Sequence, residues 1–310
     1  MIFFSYILLL LMVLVSVAFF TLLERSVLGY IHLRKGPNKV GVMGVFQPFS
    51  DVIKLFMKEM NFMMFMNVLM YMLIPVVALV LMLMYWVVFL WEWGQVEMEY
   101  GMIYFMCISS LGVYVILGGG WFSNSKYGLL GSFRGLAQVV SYEVSLAMLL
   151  MGVVMLGGGY SLYDIIESQS ELGFIWGLVS VFFMWFISCL AETNRSPFDL
   201  SEGESELVSG FNVEYGGYGF AVLFMSEYGN IIFMSLLSSV MFFGSLGYFC
   251  VNMIVMMYLF LLIRGTLVRY RYDMLMMLSW SVILPVSINL FCLLFFVKFV
   301  IICVNISSSW

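Results

Sequence analysis

Long apolar runs separated by polar loops are the main feature of this 310-residue sequence. A helix needs about 20 apolar residues to cross the hydrocarbon core of a bilayer. The pattern predicts eight transmembrane helices, with approximate bounds 2–23, 68–91, 101–122, 136–157, 172–191, 216–243, 247–263 and 278–302. The apolar run from Tyr215 to Ile263 is too long for one helix, so we divide it near Gly244–Gly247. The predicted fold class is an all-α polytopic membrane protein, with residues 1–310 in a single transmembrane domain.

The composition supports a membrane protein and excludes several other classes. Hydrophobic residues make up 64% of the chain and charged residues 10%, against about 45–50% and about 25% in soluble domains. The net charge of -5 leaves no basic patch for nucleic acid. The cysteines lack the C-x-x-C spacing of zinc or iron–sulfur sites, and His32 is the one histidine. The sequence therefore predicts no metal site, and any redox centre would have to lie on other subunits.

The basic residues predict how the chain is oriented. Every Lys and Arg except Lys298 falls in the loops after the first, third, fifth and seventh predicted helices, whereas the opposite loops are acidic. Basic loops face the cytoplasmic side of a membrane. Both termini are therefore predicted on the non-cytoplasmic side, which is the intermembrane space if the protein is mitochondrial.

The first basic-side loop contains an amphipathic segment at about residues 45–60. Phe49, Ile53, Phe56 and Met60 recur at i, i+4, i+7 and i+11, which predicts a helix in the plane of the membrane interface. The other face carries Gln47, Ser50, Asp51, Lys54 and Lys58. Two interpretations stay open: a plain surface anchor, or one wall of a lipid-phase entrance for an amphiphilic substrate.

The loop at residues 192–215 is the most informative stretch, because it crowds acidic residues around the single cation Arg195. These acids are Glu192, Asp199, Glu202, Glu204, Glu206 and Glu214. Apolar residues between them indicate burial, and crowded carboxylates at low dielectric have raised pKa values and titrate as a group. The loop is therefore predicted to hold or pass protons; the alternative is a solvated acidic loop.

Acidic residues also lie within the predicted helices. Glu143 and Glu227 fall inside helices, and Glu192 follows the end of one. A charge at mid-membrane costs at least about 2.5–3.5 kcal/mol, so it usually faces an aqueous path or a partner. We expect a polar path from the basic-side loop into the membrane. A structural acid bonded to Ser141, Tyr142 or a neighbouring helix is the alternative for Glu143.

Five segments resemble the NADH-ubiquinone oxidoreductase chain 1 family, the membrane subunit of respiratory complex I that meets its peripheral arm. The segment AETNRSPFDLSEGESELVSGFNVEY is the most specific, and the resemblance covers nearly the whole chain. The segments are residues 24–41, 47–59, 129–147, 191–215 and 264–276. The overall character is that of an invertebrate mitochondrial member.

The resemblance implies a core subunit that forms the ubiquinone tunnel entrance and the start of a proton-coupling path. Electrons would pass from NADH to the substrate ubiquinone through FMN and iron–sulfur clusters on partner subunits. The implied tunnel residues are Arg25, Arg34, Arg195, Phe220, Phe224 and Arg271. The implied coupling residues are Glu143, Glu192, Asp199, Glu202, Glu204 and Glu227. The implied partners are peripheral-arm quinone-site subunits and neighbouring membrane subunits, and the implied location is the mitochondrial inner membrane.

The sequence departs from the family pattern at three positions. Val268, Met274 and Gly135 stand where the family usually has Pro, Gln and Ala, which weakens the assignment of Arg271 but leaves the acidic loop unaffected. Two alternatives differ in class: a membrane subunit of an energy-converting hydrogenase, and a stand-alone ion transporter. Transporters usually show an internal repeat, and we find none here.

Overall fold

The computed structural model describes residues 2–61, 64–89, 98–201, 203, 210–212, 214–244 and 248–308. Helices form all of the regular secondary structure in these ranges, which confirms the all-α fold class. The α-helices are α1 (Ile2–Ile31), α2 (Gln47–Phe56), α3 (Val68–Tyr85), α4 (Gly101–Ser123), α5 (Lys126–Gly157), α6 (Leu162–Glu167), α7 (Val179–Glu192), α8 (Gly217–Phe243), α9 (Phe249–Thr266), α10 (Tyr272–Met277) and α11 (Leu284–Ser308).

Within the described ranges, seven helical stretches are long and apolar enough to cross a membrane. Six are α1, α3, α4, α5, α8 and α9. The seventh runs continuously from α10 through a π-helical segment, Leu278–Ile283, into α11. The apolar helix α7 has 14 residues, about 21 Å at 1.5 Å per residue, and is shorter than the predicted helix at 172–191.

The late start of α7 is explained by contacts between the chain before it and the end of α8. The buried Gln169 side chain donates hydrogen bonds to the carbonyls of Val240 and Met241, at 3.0 and 3.1 Å, and accepts one from the backbone N–H of Phe174. These bonds satisfy carbonyls that a helix end leaves without partners. The chain before α7 is therefore fixed as a 3-10 turn, Phe174–Trp176, packed on α8.

Two helices extend beyond the predicted apolar runs because their polar residues have partners. Helix α1 continues past Leu23 to Ile31, since Glu24 is buried and paired with Arg264 of α9. Helix α5 begins at Lys126, before the predicted position 136, and the Ser125 hydroxyl accepts a hydrogen bond from the N–H of Gly128 at 3.1 Å. Such an N-cap favours a helix start.

Helices α5 and α8 lie at the centre of the bundle. Helix α5 packs against α4, α7 and α11, and α8 packs against α1, α3 and α9. A Cβ on Gly131 of α5 would lie 2.8 Å from the Cα of Gly210, which belongs to the 3-10 turn Gly210–Asn212. The absence of a side chain at residue 131 thus allows the backbone before α8 to lie directly on α5.

Candidate functional site

A cavity of about 320 Å³ lies between α1, α2 and α8, and we call it the apolar cavity. Its volume falls in the range of small-molecule sites. Val17 and Leu14 of α1, Val52 and Leu55 of α2, and Ala221 of α8 contribute to its apolar wall. A few polar groups converge on it, as is usual in sites that orient a ligand.

An ion pair at this cavity joins α1 to α2. Nη1 of Arg25 lies 2.5 Å from Oδ2 of Asp51, and Asp51 Oδ1 accepts a hydrogen bond from Gln47 at 2.9 Å. Arg25 and Asp51 both line the cavity. Phe49 and Ile53 are exposed on the outer face of α2. Helix α2 thus has one face toward the cavity and an exposed apolar face on its other side.

Aromatic side chains of α8 form another part of the wall. Phe220, Phe224 and Tyr228 recur at i, i+4 and i+8 and line the apolar cavity. The ring centroids of Phe220 and Phe224 lie 4.3 Å apart, and those of Phe224 and Tyr228 lie 6.1 Å apart. Tyr228 also packs edge-on against Phe20 of α1, at 5.7 Å. We call this row of three side chains the aromatic stripe. It leads from the apolar cavity into the bundle.

The aromatic stripe ends at a buried arginine. Arg195, in the loop after α7, is 7% exposed, and its guanidinium carbon lies 4.6 Å from the centroid of the Tyr228 ring. Its Nη2 lies 3.2 Å from Oε2 of Glu227 on α8. The cation therefore has both an aromatic face and a carboxylate as partners, which offset the cost of its burial.

Gln138 of α5 holds the segment that carries Arg195. Its buried side-chain amide donates hydrogen bonds to the carbonyls of Ala191 and Phe198, at 2.9 and 2.7 Å. The N–H of Phe198 also donates to the carbonyl of Arg195 at 2.8 Å. One side chain thus fixes both ends of the turn that presents the guanidinium to Glu227.

A second ion pair lies next to Arg195, and the sequence did not single it out. Glu24 of α1 is buried and paired with Arg264 of α9. Glu24 lines the apolar cavity and also, with Arg195, Arg264 and Tyr228, a small adjoining cavity. The sequence feature that could have predicted this pair is Glu24 itself, because it is the first charged residue after the first apolar run.

A second cavity of about 90 Å³ lies on the opposite face of α8, and we call it the polar cavity. Glu192 and Glu227 both line it. Other polar side chains in its wall are Tyr85, Thr193, Asn194, Ser201, Ser226 and Asn230. Leu223, Glu227, Asn230 and Met234 recur at i, i+4, i+7 and i+11. Helix α8 therefore separates an apolar cavity on one face from a polar cavity on the other.

The structure brings some of the predicted coupling residues together. Glu143 is half-buried on α5, close enough to Glu192 for their charges to repel each other. Oδ1 of Asp199 lies 3.7 Å from Nη2 of Arg269. Glu202, Glu204 and Glu206 lie outside the described residues.

The predicted tunnel residues divide into two groups. Arg25, Phe220 and Phe224 line the apolar cavity, and Arg195 lines the small cavity beside it. Arg34 is exposed. The side chain of Arg271 is 79% exposed, and its Nε lies 3.1 Å from Oδ2 of Asp273. Arg34 and Arg271 are not among the residues that line these cavities.

Comparison with known proteins decides the family. The family model described as NADH dehydrogenase matches residues 4–295. The chain belongs to this family. NADH-ubiquinone oxidoreductase chain 1 of Rhipicephalus sanguineus is 48% identical over 98% of both chains. The protein of that name from Aedes aegypti is 50% identical over 91% of both chains, and that from Heterololigo bleekeri is 51% identical over 88% of this chain and 89% of the relative.

These matches confirm the family resemblance that the sequence motifs indicate. A membrane subunit of NADH-ubiquinone oxidoreductase accounts for both the family match and the apolar helices. The hydrogenase and transporter alternatives are not favoured, because the relatives with the same name extend over nearly the whole chain.

Proposed function

We propose that the apolar cavity binds ubiquinone and that the Arg195–Glu227 pair begins the path that couples its reduction to proton transfer. One observation carries this proposal: α8 presents Phe220 and Phe224 to the apolar cavity and Glu227 to the polar cavity. A single helix is therefore in contact with both the ligand site and the carboxylates.

The residues present fit an amphiphilic quinone. Flat aromatic side chains suit the quinone ring, and apolar walls suit an isoprenoid tail. The Arg25–Asp51 pair supplies polar atoms at the cavity wall. Helix α2, with Phe49, Ile53 and Phe56 exposed on its outer face, would border an entrance from the lipid phase.

The chain would supply the quinone site and the proton path, while its partners would supply the redox centres. FMN and iron–sulfur clusters on peripheral-arm subunits would pass electrons from NADH to the quinone. Arg34 and Arg271 are exposed on the basic side. We assign them to the part of the tunnel where the quinone-site subunits of the peripheral arm meet this chain.

The distribution of basic residues supports a proposed orientation in the membrane. Arg25, Arg195 and Arg271 all belong to the basic side, which would face the matrix of a mitochondrion. Both termini would then face the intermembrane space, and the apolar cavity would open near the matrix surface of the inner membrane. The remaining face of the bundle would contact neighbouring membrane subunits and lipid.

Proton coupling follows from electrostatics around the Arg195–Glu227 pair. Reduction of ubiquinone to ubiquinol takes up electrons and protons in equal number, so a reduced quinone that awaits its protons is an anion. Negative charge near Arg195 would compete with Glu227 for the guanidinium and favour the protonated form of that carboxyl. The proton would then pass by way of Glu192 toward Glu143, with Asp199, Glu202 and Glu204 in the loop as further coupled acids.

Photoaffinity labelling of the assembled enzyme tests the ligand site. An azido-ubiquinone of short tail should label peptides from α1, α2 and α8 around Arg25, Asp51 and Phe224, and excess ubiquinone should suppress the label. Labelling confined to α4 or α11, or labelling that ubiquinone does not suppress, would contradict the proposal.

A further inference from the structure

Two stacked tyrosines hold the start of α8 against α3. Tyr71 of α3 and Tyr215, just before α8, are both buried. Their ring centroids lie 4.2 Å apart, with 7° between the ring planes. The Tyr71 hydroxyl donates a hydrogen bond to the carbonyl of Glu214 at 2.6 Å, and the Tyr215 hydroxyl donates one to the carbonyl of Tyr71 at 3.4 Å. We call this pair of side chains the tyrosine latch.

A proline within α3 explains why the carbonyl of Tyr71 is available to the latch. In an α-helix this carbonyl would accept a hydrogen bond from the N–H of residue 75. Residue 75 is Pro75, which lies buried inside α3 and has no N–H. A buried carbonyl that loses its helical partner needs another donor, and the Tyr215 hydroxyl supplies one. The proline and the tyrosine are therefore complementary.

The same segment of the chain also lies against the end of α2. A Cβ on Gly217, the first residue of α8, would lie 2.9 Å from the carbonyl oxygen of Lys58, which follows α2. Gly217 has a φ of +55°, a conformation that favours glycine. The ring centroids of Phe56 and Tyr218 lie 5.5 Å apart. The chain that enters α8 is thus in contact with both α3 and the end of α2.

The tyrosine latch is connected to two walls of the apolar cavity. Leu55 of α2 and Phe220 of α8 both line this cavity. Phe220 lies in the first turn of α8 and packs against the apolar cluster that contains Tyr71 and Tyr215. A shift of the first turn of α8 would therefore move Phe220 relative to Leu55 and change the spacing between the two walls.

We propose that Tyr71 and Tyr215 are positioning residues for ubiquinone, because the latch fixes the first turn of α8 and with it the spacing of the cavity walls. This inference rests on the proposed function, since it explains how the proposed ligand site keeps its shape. Neither tyrosine is among the described residues that line the apolar cavity, so both act through Phe220. Pro75 belongs to the mechanism, because it makes the Tyr71 carbonyl depend on Tyr215.

Removal of one hydroxyl tests the latch in the assembled enzyme. Tyr215→Phe keeps the stacked ring but leaves the Tyr71 carbonyl without this donor, so the start of α8 is held less firmly. The KM for ubiquinone should rise about threefold with kcat little changed. Oxidation of NADH by an artificial flavin-level acceptor should stay normal. Tyr258 is exposed on α9, so Tyr258→Phe makes the same chemical change as a control and should leave the KM unaltered.

A substitution in α3 separates the latch from a general loss of packing. Pro75→Ala restores an N–H at residue 75, which can donate to the Tyr71 carbonyl in place of the Tyr215 hydroxyl. On a Pro75→Ala background, Tyr215→Phe should therefore raise the KM no further, so the two substitutions should be non-additive. An equal rise in KM on both backgrounds would overturn the latch, because the hydroxyl would then act through some other contact.

Comparison with Phe224→Ala separates failure of the latch from failure of the proposed function. Phe224 lines the apolar cavity directly, so its loss should raise the KM whether or not the latch exists. An unchanged KM in Tyr215→Phe together with a raised KM in Phe224→Ala would overturn the latch alone. An unchanged KM in Phe224→Ala would overturn quinone binding in the apolar cavity, and the latch with it.

Discussion

Nη2 of Arg195 lies 3.2 Å from Oε2 of Glu227, although 32 positions separate the two residues in sequence. The pair joins the loop after α7 to the middle of α8. Removing one partner of a buried pair is costly, because the other charge remains without compensation. This contact therefore fixes the loop relative to the helix that borders both cavities.

The aromatic stripe leads to a prediction about quinone affinity. Phe224→Ala removes a ring that lines the apolar cavity, and an aromatic contact contributes about 0.5–1.5 kcal/mol beyond its buried area. We expect the KM for ubiquinone to rise about tenfold. Phe296 is exposed on α11, so Phe296→Ala should leave the KM unchanged. Equal KM values for the two variants would contradict quinone binding in the apolar cavity.

The Arg25–Asp51 pair leads to a prediction about helix α2. Its side chains are 51% and 33% exposed, and such pairs contribute only about 0–1 kcal/mol to stability. Asp51→Asn should therefore assemble normally, while the loosened contact between α1 and α2 raises the KM for ubiquinone about threefold. Steady-state kinetics measure this, with exposed Lys54→Met as the control on the same helix. An unchanged KM would show that the pair does not shape the cavity.

The close contact at Gly131 leads to a prediction about stability. A Cβ there would lie 2.8 Å from the Cα of Gly210, so Gly131→Ala should destabilise by about 1–3 kcal/mol, as overpacking does. A Cβ on Gly112 of α4 would meet no atom of the described residues within 4 Å, so Gly112→Ala should be tolerated. Thermal inactivation of the assembled enzyme compares the two variants. Equal inactivation temperatures would contradict the packing argument.

The amide of Gln138 leads to a prediction about the loop. Gln138→Leu removes both hydrogen bonds to the carbonyls of Ala191 and Phe198, and each bond contributes about 0.5–1.5 kcal/mol. We expect Arg195 to lose its fixed position and coupled ubiquinone reduction to fall. Gln138→Glu, protonated on one oxygen, should restore part of the rate at low pH. No pH dependence in Gln138→Glu would argue against the hydrogen bonds.

The helices could largely be predicted from sequence because apolar length is a local property. The exceptions have long-range causes. Glu24 lies inside α1 because Arg264 of α9 reaches it. The start of α7 depends on Gln169, which binds the end of α8. No local pattern contains these contacts.

The site was less accessible to sequence analysis. Glu227 stood out as an acid in an apolar run, whereas Asn230 and Ser201 are ordinary polar residues until the fold places them around one cavity. The apolar run of α8 also concealed that one helix face carries Phe220, Phe224 and Tyr228, while the other carries the polar side chains of Ser226, Glu227 and Asn230. That division depends on which helices pack against each face, and the sequence of α8 does not contain this information.

Proton pumping by the Glu227→Gln enzyme tests the central claim most directly. Glutamine can still accept a hydrogen bond from Arg195, and the Tyr228 ring still contacts the guanidinium. The enzyme should therefore assemble, at some cost in stability, while the ionisable group is lost. We expect ubiquinone reduction and proton movement in membrane vesicles to fall together by about tenfold or more, with normal NADH oxidation by an artificial flavin-level acceptor. Glu167→Gln, at an exposed residue of α6, should behave as the unaltered enzyme. Full pumping and full ubiquinone reduction by Glu227→Gln would contradict a coupling path that begins at the Arg195–Glu227 pair.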